Sequence, residues 1–351
     1  MHSESVGQLL QWYDSQRRDL PWRAAKDQSA DPYAVWISEI MLQQTQVQTV
    51  IPYFEAFLAK YPDVESLAAA SLDEVLASWS GLGYYRRARQ MHRAAGEIVA
   101  LGSFPTSAAG LRELPGIGDY TAAAIASIAF GEVVPVLDGN VERVLSRCLA
   151  QAEDPKRSRP RRRLRQAAAE LLDPQRPGDG NQALMELGAT VCRPTSPNCP
   201  VCPLAPDCRA HAEGDPERYP PVRRRRATER RVRTAAVVET EAGLLFFKRP
   251  ADAEVMPDLW ELPNVDDHDD PSRVEAALAA TYGGRWTLGE VLGTVRHSIT
   301  YRRFEITVRQ ARHETAPVEP PLREATHVPK GERPPFATSS LIDKISKLLS
   351  T

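Results

Sequence analysis

The 351-residue sequence predicts a mainly α-helical N-terminal domain followed by a smaller α/β domain. Three observations carry that division. Apolar residues recur at helical spacing, without sustained two-residue alternation, as far as residue 191. Four of the five cysteines then fall within residues 192–208 and close the helical part with a loop. Strand-like alternation begins only after Arg233, beyond a run of seven arginines in residues 223–233. The expected boundaries are 1–212 for the helical domain, 213–231 for an arginine-rich connector and 232–351 for the α/β domain. A hydrophobic content of 42% suffices for two ordinary cores at this length. The net charge of −2 hides a second basic run, seven Lys or Arg in residues 156–165. Such runs suit either a solvated surface or a phosphate-tracking face. No long apolar stretch and no basic-then-apolar N-terminus occurs, so a soluble, cytoplasmic protein without a membrane partner is expected.

Residues 5–17 read as a helix with Val6, Leu9, Leu10 and Tyr13 on one face, ended by Pro21 in RRDLPWR. Trp22 and Arg23 follow on a loop and suit either packing and solvation, or base stacking and phosphate contact. A second helix, Tyr33 to Val50, contains WISEIMLQQTQVQTV. Glu39 has Val35 and Trp36 one turn before it and Leu42 one turn after it. Apolar neighbours raise a carboxyl's pKa and keep the acid protonated. Gln44, Thr45 and Gln48 lie in a polar run able to read base edges or to face water. Helices at 51–60, 72–79 and 85–101 come next. The turn GLGYYRRAR sets Tyr84 before Arg86, Arg87 and Arg89: a core ring with solvated arginines, or a wedge between bases with phosphate-binding arginines behind it.

LPGIGDYTAAAIASIAF holds the feature around which the helical domain is organised. Pro115, Gly116 and Gly118 cannot lie inside a helix, so Gly116 to Gly118 form a hairpin at the start of an Ala-rich helix, with backbone N–H groups turned outward. Those donors and the positive end of the helix dipole suit one phosphate of a nucleic-acid backbone. Asp138 stands twenty residues after Gly118, at the N-cap of the next helix, where the returning chain brings a carboxylate beside the anchored strand. Helices at 161–173 and 179–191 complete the domain.

Cys192, Cys199, Cys202 and Cys208 follow the pattern C-x6-C-x2-C-x5-C, punctuated by five prolines. Four thiolates at this spacing can wrap one metal centre in a loop, and both zinc and an iron–sulfur cluster accept such a set. A disulfide framework is disfavoured, because nothing marks secretion. Cys148, alone on an apolar helix, reads as a buried core residue. In the second domain TAAVVET and GLLFFKRP read as strands followed by LWELP, 272–281 as a helix, TVRHSITYRRFEITV as two strands around a turn, and 339–349 as an amphipathic helix.

LPGIG, the Ala-rich helix and LDGNVERVLSR resemble the helix-hairpin-helix DNA glycosylases. With LPWR, SEIMLQQTQV, GLGYYRRAR and the cysteine loop, the match extends over about residues 5–210 and is most similar to the MutY-type adenine DNA glycosylases, relatives of endonuclease III. The resemblance implies a 4Fe–4S cluster on the four loop cysteines. It implies base excision repair of duplex DNA in which adenine is mispaired with 8-oxoguanine or guanine. Glu39 would protonate adenine at N7, and Asp138 would stabilise positive charge on the sugar. Tyr120 and Asn140 would orient these carboxylates, Arg23 would line the adenine pocket and Gln182 would hydrogen-bond the base. Gln44 and Tyr84 would work at the opposite base and in the stack. Tyr120 stands where endonuclease III relatives usually carry Lys, so a monofunctional enzyme without strong lyase activity is implied.

The second domain resembles the Nudix-like C-terminal domain of that family. Its REUxEExGU box is absent, so neither a magnesium site nor pyrophosphate hydrolysis is expected. The family's Arg-His-x-Phe-Ser/Thr-His loop, which senses 8-oxoguanine, corresponds to Arg296, His297, Ser298, Ile299, Thr300 and Tyr301. Ile299 keeps an apolar wedge and Thr300 a hydroxyl, while Tyr301 replaces the His; preference for 8-oxoguanine is expected to survive. A monomer is expected. The alternatives are an endonuclease III-like oxidised-pyrimidine glycosylase with lyase activity, and a non-catalytic DNA-binding iron–sulfur protein.

Overall fold

The computed structural model describes residues 3–24, 28–221, 227–253, 255–266, 270–314 and 322–350; residues 222–226 of the expected connector lie outside them. The helices run in chain order as α1 (Ser3–Gln16), α2 (Pro32–Leu42), α3 (Val47–Lys60), α4 (Val64–Ala69), α5 (Leu72–Ser78), α6 (Arg86–Leu101), α7 (Ala108–Leu111), α8 (Asp119–Phe130), α9 (Gly139–Cys148), α10 (Ser158–Ala169), α11 (Pro177–Thr190) and α12 (Arg209–Ala212). Strands follow, with α13 (Pro271–Tyr282) and α14 (Ser340–Leu349) among and after them. The chain divides into two compact units, Met1–Ala69 with Gln90–Arg224, and Ala70–Arg89 with Arg225–Thr351. The second unit thus takes in a segment from within the stretch 1–212 that the sequence assigns to one helical domain.

In the first unit α11 packs on α1, α8 and α9, and α2 packs on α8. The small buried residues Ala122, Ala123, Ala124 and Ala126 of α8 permit this close layering. Leu9, Tyr13, Val144, Leu145, Leu184 and Leu187 form the centre of one core. Between α8 and α9 the chain runs without regular structure over VVPVL, and Asn181 of α11 holds it there. The Asn181 amide donates to Val134 O at 2.9 Å and its oxygen accepts from Val136 N at 2.9 Å. That tie returns the backbone to the start of α9, where Asp138 stands.

One expectation fails in this unit. Tyr33 to Val50 is not a single helix: α2 ends at Leu42 and α3 begins at Val47. Gln44 adopts φ +59°, and Thr45 N donates back to Leu42 O at 3.3 Å, which closes a turn. No Gly or Pro marks this break in the sequence. Pro52, which suggests a boundary, lies inside α3.

In the second unit β1 (Glu229–Val237) lies between β5 (Asn264–Asp266), antiparallel, and β7 (Arg302–Glu314), parallel; β6 (Arg285–Ile299) pairs antiparallel with β7. A second sheet joins β2 (Glu239–Thr240), β3 (Gly243–Lys248), β4 (Trp260–Glu261) and β8 (Ala325–Val328), with β8 on β3. Helix α13 contributes Val274, Leu278 and Tyr282 to one core, and α14 contributes Ile342 and Ile345 to another. The segment Ala70–Arg89 is tied into this unit by polar contacts: Tyr85 Oη to Thr338 O at 2.6 Å, Lys248 to Asp73 at 3.0 Å and Arg89 to Asp258 at 3.0 Å.

Candidate active site

A cleft of about 480 Å³ opens in the first unit between α2, the start of α8, the start of α9 and α11. Glu39 reaches it from α2 and is 6% exposed. Burial pushes its carboxyl up to about 7 from an ordinary 4.5. The Asp138 charge adds to that rise, whereas the Tyr120 hydroxyl and Arg23 oppose it. Tyr120, from the first turn of α8, donates its hydroxyl to Glu39 Oε2. Burial and the two neighbouring carboxyls hold that phenol far above its usual range, so it remains a donor.

Asp138 is both a helix cap and a wall of the cleft. Its Oδ1 accepts from Val141 N at 2.7 Å, the N-cap bond of α9, and its Oδ2 accepts from Asn140 Nδ2 at 3.1 Å. Burial raises the Asp138 pKa; the backbone donors and Arg143 act against that rise. Asn140 is itself held, because its Oδ1 accepts from Arg143 Nη2 at 2.9 Å. The same guanidinium donates to Gly188 O at 2.7 Å and Cys192 O at 2.8 Å.

Trp22, Arg23, Gln44, Thr45 and Gln182 line the same cleft. Trp22 also packs edge-on against Phe54, with centroids 5.4 Å apart, so its packing and cleft-facing roles coexist. Sequence reasoning missed Glu186, which lines the cleft and is 1% exposed at its side chain. It accepts from Arg18 Nε at 2.6 Å and from Arg23 Nη2 at 2.7 Å. Burial raises its pKa, but the two guanidiniums outweigh burial and hold it below the usual carboxylate range. Its signal was its place four residues after Gln182, on the same face of α11.

Other expected residues lie elsewhere. Gln48 is exposed on α3 and does not line the cleft. Gly116 adopts φ +77°, and a Cβ there would stand 2.6 Å from Gln90 Cβ, so both backbone and space require glycine. Gly118 is the N-cap of α8, with no side-chain cap bond. Tyr84 belongs to the second unit, is 44% exposed and adopts φ +49°. Ile299 ends β6 and packs against the core beneath α14. Thr300 sits exposed in the β6–β7 turn at φ +54°, its hydroxyl turned back to Ile299 O at 2.7 Å, beside half-buried Tyr301. The basic run 156–165 is partly used inside the unit: Lys156 and Arg161 each stand 2.7 Å from buried Glu142.

The cysteine loop follows α11. Cys192, Cys199, Cys202 and Cys208 line one small cavity together with Cys148, Arg147 and His211. Among the described residues no three His, Cys, Asp or Glu side chains converge as a site for a single metal ion. No described helix is long and apolar enough to cross a membrane.

Residues 37–170 match the family described as HhH-GPD superfamily base excision DNA repair protein. The mouse adenine DNA glycosylase is 38% identical over 370 residues, an alignment covering 88% of this chain and 72% of that protein. The chain belongs to the adenine DNA glycosylases. The human adenine DNA glycosylase is 50% identical over 218 residues, covering 60% of this chain but only 40% of its own length. A solved thermostable thymine-DNA glycosylase superposes with a TM-score of 0.53 at 28% identity, over 59% of this chain and 95% of that one. The chain is accordingly a DNA N-glycosylase, with a helical glycosylase fold and a smaller α/β unit.

Proposed function

We propose that this chain, as a monomer on duplex DNA, hydrolyses the N-glycosidic bond of adenine paired with 8-oxoguanine or guanine and does not cleave the strand efficiently. The observation that carries this reading is the pairing of two carboxyls in one cleft: Glu39, raised to about 7, and Asp138, held at a helix N-terminus by two N–H donors. A stacked adenine is out of reach of such a cleft, so the nucleotide must be flipped out of the duplex. The uncapped start of α8 behind Gly118 suits a backbone phosphate.

Glu39 holds a proton near neutral pH and delivers it to the departing base, a contribution of about 10²- to 10⁴-fold. Departure leaves positive charge on the deoxyribose. Asp138 is the better anion of the pair, because the N-terminus of α9 and the Asn140 amide favour its charged form. An ionised carboxylate at about 4 Å stabilises such a cation by about 4 kcal/mol at an effective dielectric of 20. Deprotonated Glu39 then activates the attacking water. Tyr120 carries no amine for a Schiff base, which supports base removal without strong lyase activity. Thr300 and Tyr301, at the β6–β7 turn of the Nudix-like unit, are the groups offered to the opposite base.

The sulfur donors lining the loop cavity suit a 4Fe–4S cluster held by Cys192, Cys199, Cys202 and Cys208. When bound it would fix the loop; the chain's own residues carry the chemistry at the sugar.

Single-turnover release of adenine tests the proposal, with adenine opposite 8-oxoguanine, guanine or thymine and alkali revealing abasic sites. Release is expected opposite 8-oxoguanine and guanine but not thymine, falling as pH rises through about 7 as Glu39 loses its proton. Glu39→Gln and Asp138→Asn should abolish measurable release. An iron-replete protein that binds the duplex and frees no adenine would overturn the proposal and leave the DNA-binding reading.

A further inference from the structure

Helix α11 lines the candidate active site with Gln182, Met185 and Glu186. Glu186 is 1% exposed at its side chain, where a carboxylate stays charged only if it is paired. Its partners come from the chain beyond α1. Arg18 meets it as a fork, Nε to Oε1 at 2.6 Å and Nη2 to Oε2 at 2.9 Å, and the Arg18 backbone N–H adds a third donor to Oε1 at 3.3 Å. Arg23 Nη2 donates to Oε2 at 2.7 Å. A carboxylate offers about four acceptor positions, and these donors fill them. Glu186 therefore has no acceptor left for a substrate and acts through its guanidiniums. Arg23 is held further by Nη1 donating to Arg18 O at 2.8 Å and by its Cζ lying over the Tyr13 ring, 5.6 Å from the ring centre. The ionisable side chains on the cleft wall are Arg18, Arg23, Glu39, Tyr120, Asp138 and Glu186. With Glu39 as the neutral acid and Tyr120 as the phenol, two cations face two anions and the wall carries no net charge.

We propose that Glu186 is a positioning residue: it holds Arg18 and Arg23 as a charge-balanced wall of the cleft and so keeps on Glu39 the proton that base release consumes. This rests on the reading of Glu39 as the general acid. Around Glu39 the wall sets Tyr120 from α8, Asp138 from the N-cap of α9, Arg18 and Arg23 from the chain beyond α1, and Glu186 from α11. Helix α3, which also packs on α2, adds Val47 to the wall and no charged group. Arg23 favours the Glu39 anion, and the Glu186 charge in contact with that guanidinium offsets its field. A tie that served only to hold the loop would, when lost, slow release by the same factor at every pH.

Single-turnover release of adenine opposite 8-oxoguanine is measured from about pH 5.5 to 8.5 in wild type, Glu186→Gln, Glu186→Asp and Arg18→Gln. The wild-type rate falls through about 7. In Glu186→Gln the wall gains one net positive charge, and the midpoint of the fall is expected to move down by about one pH unit. That makes the variant about tenfold slower above about pH 8 and nearly equal to wild type at the acid end. Glu186→Asp keeps the charge and should return the midpoint to near the wild-type value. Arg18→Gln, at a residue 38% exposed, leaves the buried carboxylate in place and removes one positive charge, so its midpoint should move up. That opposite shift can be read even if Glu186→Gln does not fold. A midpoint in Arg18→Gln or in folded Glu186→Gln that coincides with that of wild type overturns this inference and leaves Glu39 as the acid. A wild-type protein that binds the duplex and frees no adenine, or frees it at a rate that does not fall above about pH 7, overturns the reading of Glu39 and this inference with it.

Discussion

Burial raises Glu39 from an ordinary 4.5 to about 7, because desolvation makes its anion unwelcome. Between these values the folded protein holds a proton that the unfolded chain has released. Its contribution to stability is therefore fullest below about pH 4.5 and is lost as pH rises through 7. The gap corresponds to about 3 kcal/mol once Glu39 is ionised. Glu39→Gln cannot ionise, so it should unfold at a higher temperature than wild type at about pH 8 and at nearly the same temperature at about pH 5. Thermal unfolding of both proteins at the two pH values checks this. A difference independent of pH would mean that Glu39 is not the group titrating.

Helix α2 and the start of α9 carry the two carboxyls, and the close approach of α11 to α9 depends on one glycine. A Cβ at Gly188 would stand 2.6 Å from Asn140 Cβ and 3.1 Å from its backbone, and Gly188 O also holds Arg143. Gly188→Ala should push α11 from the start of α9, displace the Asn140–Asp138 pair and slow single-turnover adenine release with little change in duplex affinity. Overpacking of this kind costs about 1–3 kcal/mol of stability. Gly96→Ala on α6 is the control, since nothing lies within 4 Å of its Cβ position. It should stabilise by about 0.5–1 kcal/mol through helix propensity and leave turnover unchanged. Equal turnover in Gly188→Ala and wild type would remove the packing argument.

At the scale of the whole molecule the division into units does not follow the order of the chain. Asp73, Tyr85 and Arg89 find partners in Lys248, Thr338 and Asp258, all far downstream. A fragment ending at residue 224 would keep the cleft residues but strip Ala70–Arg89 of those contacts. Hydrogen exchange across residues 72–89 is expected to be markedly faster in that fragment than in the full chain. Equal protection in both would show that the segment is held without the downstream unit.

Most elements were legible in the sequence because their signals are local. Apolar spacing marked the helices, Gly116 and Gly118 marked the hairpin, and the change of period after Arg233 marked the strands. Glu39 drew notice through Val35, Trp36 and Leu42 on its own helix, and Asp138 through its N-cap position. The turn at Gln44 left no local signal, because Gln is not a residue that prefers the left-handed backbone found there. Glu186 escaped notice because its partners, Arg18 and Arg23, lie more than 160 residues away. Apart from the break between α2 and α3, helix and strand could be read from near neighbours, because backbone preference and hydrophobic period act locally. The sharing of one cleft by Glu39 and Asp138, and the place of Ala70–Arg89 in the second unit, could not, because they depend on contacts between residues far apart in the chain.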